Sequence, residues 1–160
     1  AFAPGSIKAI GKNGDKVAAQ QELVTAGAPA AIKLTPILGP HGLQADGEDI
    51  ALIDFEVVDA KGVRCPTDDA RVDFTCTGPA IWRGGYNSGK LESTNNTYLN
   101  TECGINRVAV RSTLTAGTIT VTAKRDGLNS ALIHITSKPV VVTDGVAPFW
   151  PQQLQGPAEK

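Results

Sequence analysis

The sequence predicts an all-β protein: an antiparallel sandwich with a hairpin before it and an extended tail after it. Three observations predict this. Apolar and polar residues alternate with period two in several short segments, as where Ile53, Phe55 and Val57 interleave with Asp54 and Glu56. Gly, Asp-Gly and Pro turn signals separate those segments. No stretch between residues 32 and 137 holds a helical period over three turns. Short alternating strands divided by such turns are the pattern of an immunoglobulin-like sandwich.

Residues 6–12 and 17–25 read as two strands, with Asn13-Gly14-Asp15 as a tight type I′ turn between them. Two strands alone bury no core, so this hairpin belongs to a preceding sheet or adds an edge to the main one. Ala26-Gly27-Ala28-Pro29-Ala30 reads as a linker. The alternation opens at Ile32, and Pro36 marks a first or edge strand because it donates nothing to a ladder. Turns at residues 39–42 and 46–49 lead to a long strand, 50–59, which Lys61-Gly62 ends. Residues 70–77 put Val72, Phe74 and Cys76 on one face. Residues 81–103 then read as a long loop rich in Gly, Asn, Ser and Thr, delivered into a strand over 104–113. Residues 118–123 and 130–136, separated by Asp126-Gly127, finish the sheet, with His134 facing out. The domains are therefore residues 1–28 (hairpin and linker), 29–138 (sandwich) and 139–160 (tail). The ring pair Phe149-Trp150 in the tail favours burial on this domain or on a longer parent.

The formal net charge of −1 and pI of about 6.1, with Lys and Arg scattered, give no electrostatic footprint for nucleic acid or an anionic membrane. No apolar run approaches the roughly 20 residues that span a bilayer. Ala1-Phe2-Ala3-Pro4-Gly5 lacks the basic and apolar regions of a signal peptide. Methionine is absent even at position 1, so the chain is expected to be cut from a longer one. Cys65, Cys76 and Cys103 are odd in number and fit neither a disulfide framework nor a metal-binding spacing. The expectation is small apolar fillers, with one bridge and one free thiol as the alternative.

Few side chains suggest chemistry. Asp46, Asp49, Asp59, Asp68, Asp69 and Asp126 sit at turns and Asp54, Glu56 and Asp73 on outer strand faces, so they are expected to be solvated rather than a matched catalytic pair. Asp46, Glu48 and Asp49 lack the rest of a calcium-loop signature. His41 and His134 lie in no nucleophile motif, and Gly84-Gly85 and Gly89 lack the strand–loop–helix setting of a phosphate loop. No catalytic residue, metal or cofactor is expected. The remaining candidates are Trp82, Arg83, Tyr86, Asn87, Asn95, Asn96 and Tyr98. Rings stack on the C–H faces of sugars while Asn and Arg suit their hydroxyls, which makes carbohydrate one reading. The same rings could instead pack the sandwich, or face a neighbouring domain, where aromatics and Arg are enriched. Asn95-Asn96-Thr97 also fits an N-glycosylation sequon.

Three stretches resemble the C-terminal region of glycoside hydrolase family 2 enzymes, the β-galactosidase group of Bacteroides-type bacteria. Lys12-Asn13-Gly14-Asp15-Lys16-Val17-Ala18, followed by Thr25-Ala26-Gly27-Ala28-Pro29-Ala30, resembles the closing hairpin of the immunoglobulin-like domain before the last one. Ala45-Asp46-Gly47-Glu48-Asp49-Ile50 leading to Val57-Val58-Asp59-Ala60-Lys61-Gly62 is similar to the first part of the final domain. Trp82-Arg83-Gly84-Gly85-Tyr86-Asn87-Ser88-Gly89-Lys90, with Thr101-Glu102-Cys103-Gly104-Ile105-Asn106-Arg107 and residues 116–123, is similar to its central loop and last strands. The resemblance implies an accessory, non-catalytic domain of a secreted or periplasmic retaining β-galactosidase or related β-glycosidase. That family's catalytic carboxylates sit in a separate barrel, and no position here matches them. The implied partners are other domains of the parent glycosidase, with carbohydrate as the alternative.

Overall fold

The computed structural model describes residues 3–89 and 93–141. The tail beyond 141, with Phe149 and Trp150, and Lys90 of the central loop lie outside the described residues.

β1 (Ser6–Asn13) and β2 (Lys16–Val24) form an antiparallel hairpin that pairs with no other strand among the described residues. Its turn differs from the expected Asn13-Gly14 pair. Asn13 is the last ladder residue, opposite Lys16, and only Gly14 takes a positive φ, 64°. The turn is therefore Gly14-Asp15 with the glycine first, the type II′ solution to the same two-residue connection. A register shift beside Gly11 and Lys12 leaves Ala18 as the extra residue of a bulge.

Two sheets form the sandwich. One has the order β3 (Pro29–Ile37), β5 (Ile50–Asp59), β9 (Ile105–Ser112), β7 (Ala80–Gly85). The other has the order β4 (Leu43–Gln44), β11 (Ala131–Lys138), β10 (Gly117–Lys124), β6 (Arg71–Thr77), β8 (Tyr98–Asn100). Every ladder is antiparallel except β11 with β4, where Ser137 and Lys138 run beside Leu43 and Gln44. This is the ABED and CFG strand order of an immunoglobulin-like sandwich, with β4 and β8 added at the edges of the second sheet. β3 is an edge strand, which accommodates Pro36.

The alternation predicts the core well. Ile53, Phe55 and Val57 of β5, Val108 and Val110 of β9, Val72 and Phe74 of β6, and Ile119, Val121 and Ala123 of β10 are all buried. Phe55 and Phe74 meet edge to face at 5.0 Å across the two sheets.

Three expectations need correction. Residues 80–85 are strand rather than loop. Gly84 and Gly85 obscured it, because glycine is poor in strands, yet it is required here. A Cβ on Gly85 would lie 2.3 Å from the Arg107 carbonyl oxygen, so only glycine lets β7 lie against β9. Asp59 and Asp68 are buried rather than solvated. The three cysteines are unbridged, and they are not all apolar fillers: Cys65 is buried, Cys76 half-buried and Cys103 exposed at a φ of 56°.

Candidate functional site

The candidate residues are gathered along β7, β8 and the connection between them. Trp82 sits beside a bulge in β7, where Arg83 is the unpaired residue. Its ring turns inward onto Phe74 at 5.4 Å, continuing the aromatic series from Phe55 to the rim of the sandwich. Its indole N–H donates to the Asn96 carbonyl at 2.7 Å. Asn95 supports this contact with a left-handed φ of 63°, a conformation asparagine tolerates. Gly84, also left-handed, leaves room for both, since a Cβ there would meet the Asn96 oxygen at 3.0 Å.

Asn87 is the hub of the loop and is only 3% exposed. Its N–H donates to Ser93 Oγ at 2.8 Å, and its side-chain amide donates to the Asn100 carbonyl at 2.9 Å and to Glu102 Oε1 at 3.0 Å. Its Oδ1 accepts the Asn100 N–H at 3.0 Å. Glu102 continues the clamp by accepting the Ser88 N–H at 2.7 Å and the Ser88 hydroxyl at 3.0 Å. Tyr86 is half exposed, and its hydroxyl accepts the Gly89 N–H. Tyr98 lies on the other sheet under the Arg71 guanidinium, 3.9 Å from the ring centroid. The sequence candidates thus divide. Trp82, Asn87 and Asn96 build the loop from within. Arg83, Tyr86 and Asn95 stand exposed, and Tyr98 belongs to a separate surface pair.

Beneath this loop end lies an ion pair that the sequence did not reveal. Asp68 and Arg125 pair through both carboxylate oxygens, with side chains 6% and 18% exposed. The Thr101 hydroxyl also donates to Asp68. The Arg125 guanidinium above all holds the Asp68 carboxyl below its ordinary range. Backbone N–H groups do the same for Asp59, that of Gly27 at 2.8 Å first, with those of Lys61 and Val63 adding to it. The expected linker is therefore fastened to the sandwich. Both carboxylates read as turn residues because their partners are 57 and 32 positions away.

Other titratable side chains of the described residues are engaged within the fold. The Asp46 carboxylate accepts the N–H groups of Glu48 and Asp49, and Asp49 accepts those of Gln44 and Ile50. His134 bonds Thr120 on an outer strand face. Burial pushes the Cys65 and Cys76 thiols up, away from nucleophilic thiolate. No group of three metal-ligating side chains occurs among the described residues. A shallow cleft of about 290 Å³ beside Glu102 and Asn106 also holds Asp54 and Arg107, which already pair with each other.

Comparison with known proteins places this architecture. The family model described as glycoside hydrolase family 2 C-terminal domain 5 matches residues 39–134. A β-glucuronidase of Formosa agariphila is 54% identical over 152 residues, covering 95% of this chain and 16% of the relative. The β-galactosidase BoGH2A of Bacteroides ovatus is 34% identical over 139 residues, covering 86% of this chain and 16% of the relative. A solved β-glucuronidase of glycoside hydrolase family 2 superposes with a TM-score of 0.83 at 54% identity, over 95% of this chain and 16% of that one. The chain thus spans 16% of the curated relatives it matches, and identity is higher with the glucuronidase than with the galactosidase.

Proposed function

This chain belongs to the glycoside hydrolase family 2 C-terminal domain 5 family, and from that premise we propose that it is a non-catalytic accessory domain of a longer β-glycosidase, packing against the catalytic body or an oligomer partner. The observation that carries the reading is the pairing of a match over the sandwich with relatives of which this chain spans only 16%. The site chemistry agrees with it, because the acids of the central region are committed to backbone N–H groups and ion pairs. The higher identity to the glucuronidase favours a β-glucuronide over a β-galactoside as the longer protein's substrate.

The hairpin fits the same proposal as the closing piece of the preceding domain. Every residue of β1 and β2 is exposed, and a lone two-stranded sheet is marginal in water. Its register puts Ile7, Ala9, Ala19 and Leu23 on one face, with Lys16 only at its turn end, while Lys8 and Glu22 oppose each other on the other face. Export to the periplasm or medium is part of the proposal, tested by fractionation of the source cells.

The functional test compares the longer polypeptide with this chain on chromogenic β-glucuronides and β-galactosides. Turnover by the longer polypeptide and none by the chain is expected; turnover by the chain overturns the reading. The second reading, a carbohydrate-binding module, draws on the half-exposed Tyr86 with Arg83 and Asn95 beside Trp82. It requires tryptophan fluorescence to respond to millimolar sugar and Tyr86→Ala to abolish the response.

A further inference from the structure

The outer face of the four-stranded sheet divides into two halves of different chemistry. Toward one end, cross-strand neighbours neutralise each other: Lys33 pairs with Glu56 at 2.9 Å, and Arg107 pairs with Asp54 through both carboxylate oxygens. Toward the other end, the register sets Ile37 beside Leu52, and Ile50 and Ile81 on either side of Arg111. Ile37, Ile50 and Ile81 are 38%, 46% and 40% exposed, so three partly exposed isoleucines share this half of the face. Among the described residues, Arg111 Nε is buried with no hydrogen-bond partner, and the guanidinium's carboxylate contact, to a Glu48 that is 84% exposed, is 3.7 Å long. Arg83, an exposed residue at the bulge two positions past Ile81, adds a second cation beside the partly exposed Arg111.

We infer that this half-face is the interface to another domain of the longer polypeptide, one that presents an apolar surface with a carboxylate aimed at Arg111. The inference rests on the accessory-domain reading and says which face is used. The chemistry selects the occupant. A second copy docked through the same patch about a two-fold axis would bring the Arg111 and Arg83 guanidiniums of one copy into the same seam as those of the other, a like-charge contact. A carboxylate of the partner domain can reach the exposed third of the Arg111 side chain, where a guanidinium binds it through two N–H groups. Most of the relatives' length lies outside this chain and would be tethered to it at high effective concentration.

The test uses the longer polypeptide and this chain side by side. Hydrogen exchange should show β7 and β9 amides slower in the longer polypeptide than in the isolated chain. Ile81→Thr and Arg111→Glu should lower the melting temperature of the longer polypeptide by several degrees more than that of the isolated chain. Equal exchange, or equal shifts in both, overturns the inference. Concentration-dependent self-association of the isolated chain that Arg111→Glu abolishes would assign the face to a second copy and also overturn it. Protection without glycosidase activity would remove the functional reading and leave the interface standing.

Discussion

Trp82 donates its indole N–H to the backbone carbonyl of Asn96, 14 residues on, and so ties the edge strand β7 to the loop that returns to β8. The ring also extends the Phe55–Phe74 contact to the rim of the sandwich. The two roles separate by mutation. Trp82→Phe keeps a ring on Phe74 and removes the donor, and should cost about 1 kcal/mol in urea unfolding. Trp82→Ala removes both and should cost about 3 kcal/mol. If the two variants were equally stable, the ring would be surface ornament rather than packing.

Gly104 and Gly127 share a left-handed φ, 78° and 80°, and differ in what surrounds them. A Cβ on Gly104 would lie 2.1 Å from the Cys65 carbonyl oxygen, whereas nothing lies within 4 Å of one on Gly127. Gly127→Ala should therefore show only the backbone penalty, about 1 kcal/mol. Gly104→Ala adds a collision with main chain that cannot swing aside, and should cost about 3 kcal/mol or more. Thermal denaturation of the two variants reads the difference directly.

What the sequence disclosed follows from how local each interaction is. The β5 face of Ile53, Phe55 and Val57 was legible because alternation is written in consecutive residues. β4 and β8 were not, being two and three residues long and held by neighbours rather than by pattern. The hairpin was placed, but its turn slipped by one residue, because Asn-Gly and Gly-Asp both suit two-residue turns and only the bulge at Ala18 sets the register. In the candidate site, Trp82 and Asn87 were found as residue types. Their role as internal braces was not, because it depends on Asn96, Asn100 and Glu102 folding back.

The Asp68–Arg125 pair makes a prediction about acid. The folded-state pKa of Asp68 is lowered, so its contribution is complete above the unfolded value and is lost as pH falls through the folded one. Asp59 is lowered too and acts with the same sign. Stability should decline below about pH 4, the ordinary carboxylate value. Asp68→Asn should cost on the order of 3 kcal/mol at neutral pH, because it strands a half-buried guanidinium, and should flatten the acid limb of the profile. An unchanged acid limb would mean that other carboxylates govern it.

The cysteines should respond unequally to a thiol reagent. Cys103 is exposed on its left-handed turn, while Cys65 is buried and Cys76 half-buried with both thiols pushed up by burial. A disulfide reagent under native conditions should label Cys103 quickly and the other two only as the sandwich opens. Mass mapping of the labelled peptides checks the order, and rapid modification of Cys65 would contradict its place under the linker beside Gly27.

Asn87 offers the most discriminating test of the loop clamp, because a nearly isosteric change reverses one of its bonds. Its side-chain N–H₂ donates to Glu102 Oε1 at 3.0 Å in a site that is 3% exposed. Asn87→Asp replaces that donor with an oxygen and sets two carboxylates against each other. One of them must then titrate high, since like charges at hydrogen-bond distance resist joint ionisation. The sign is opposite to that of Asp68. A folded pKa raised above the unfolded value confers stability at low pH and loses it as pH rises. Asn87→Asp should therefore be destabilised at neutral pH by about 2 kcal/mol and recover toward pH 4 to 5, where a shared proton restores a donor. Asn87→Ala, with no titratable group, should be destabilised at both pH values. If Asn87→Asp showed no such recovery, Glu102 would not be holding the loop through Asn87 in solution.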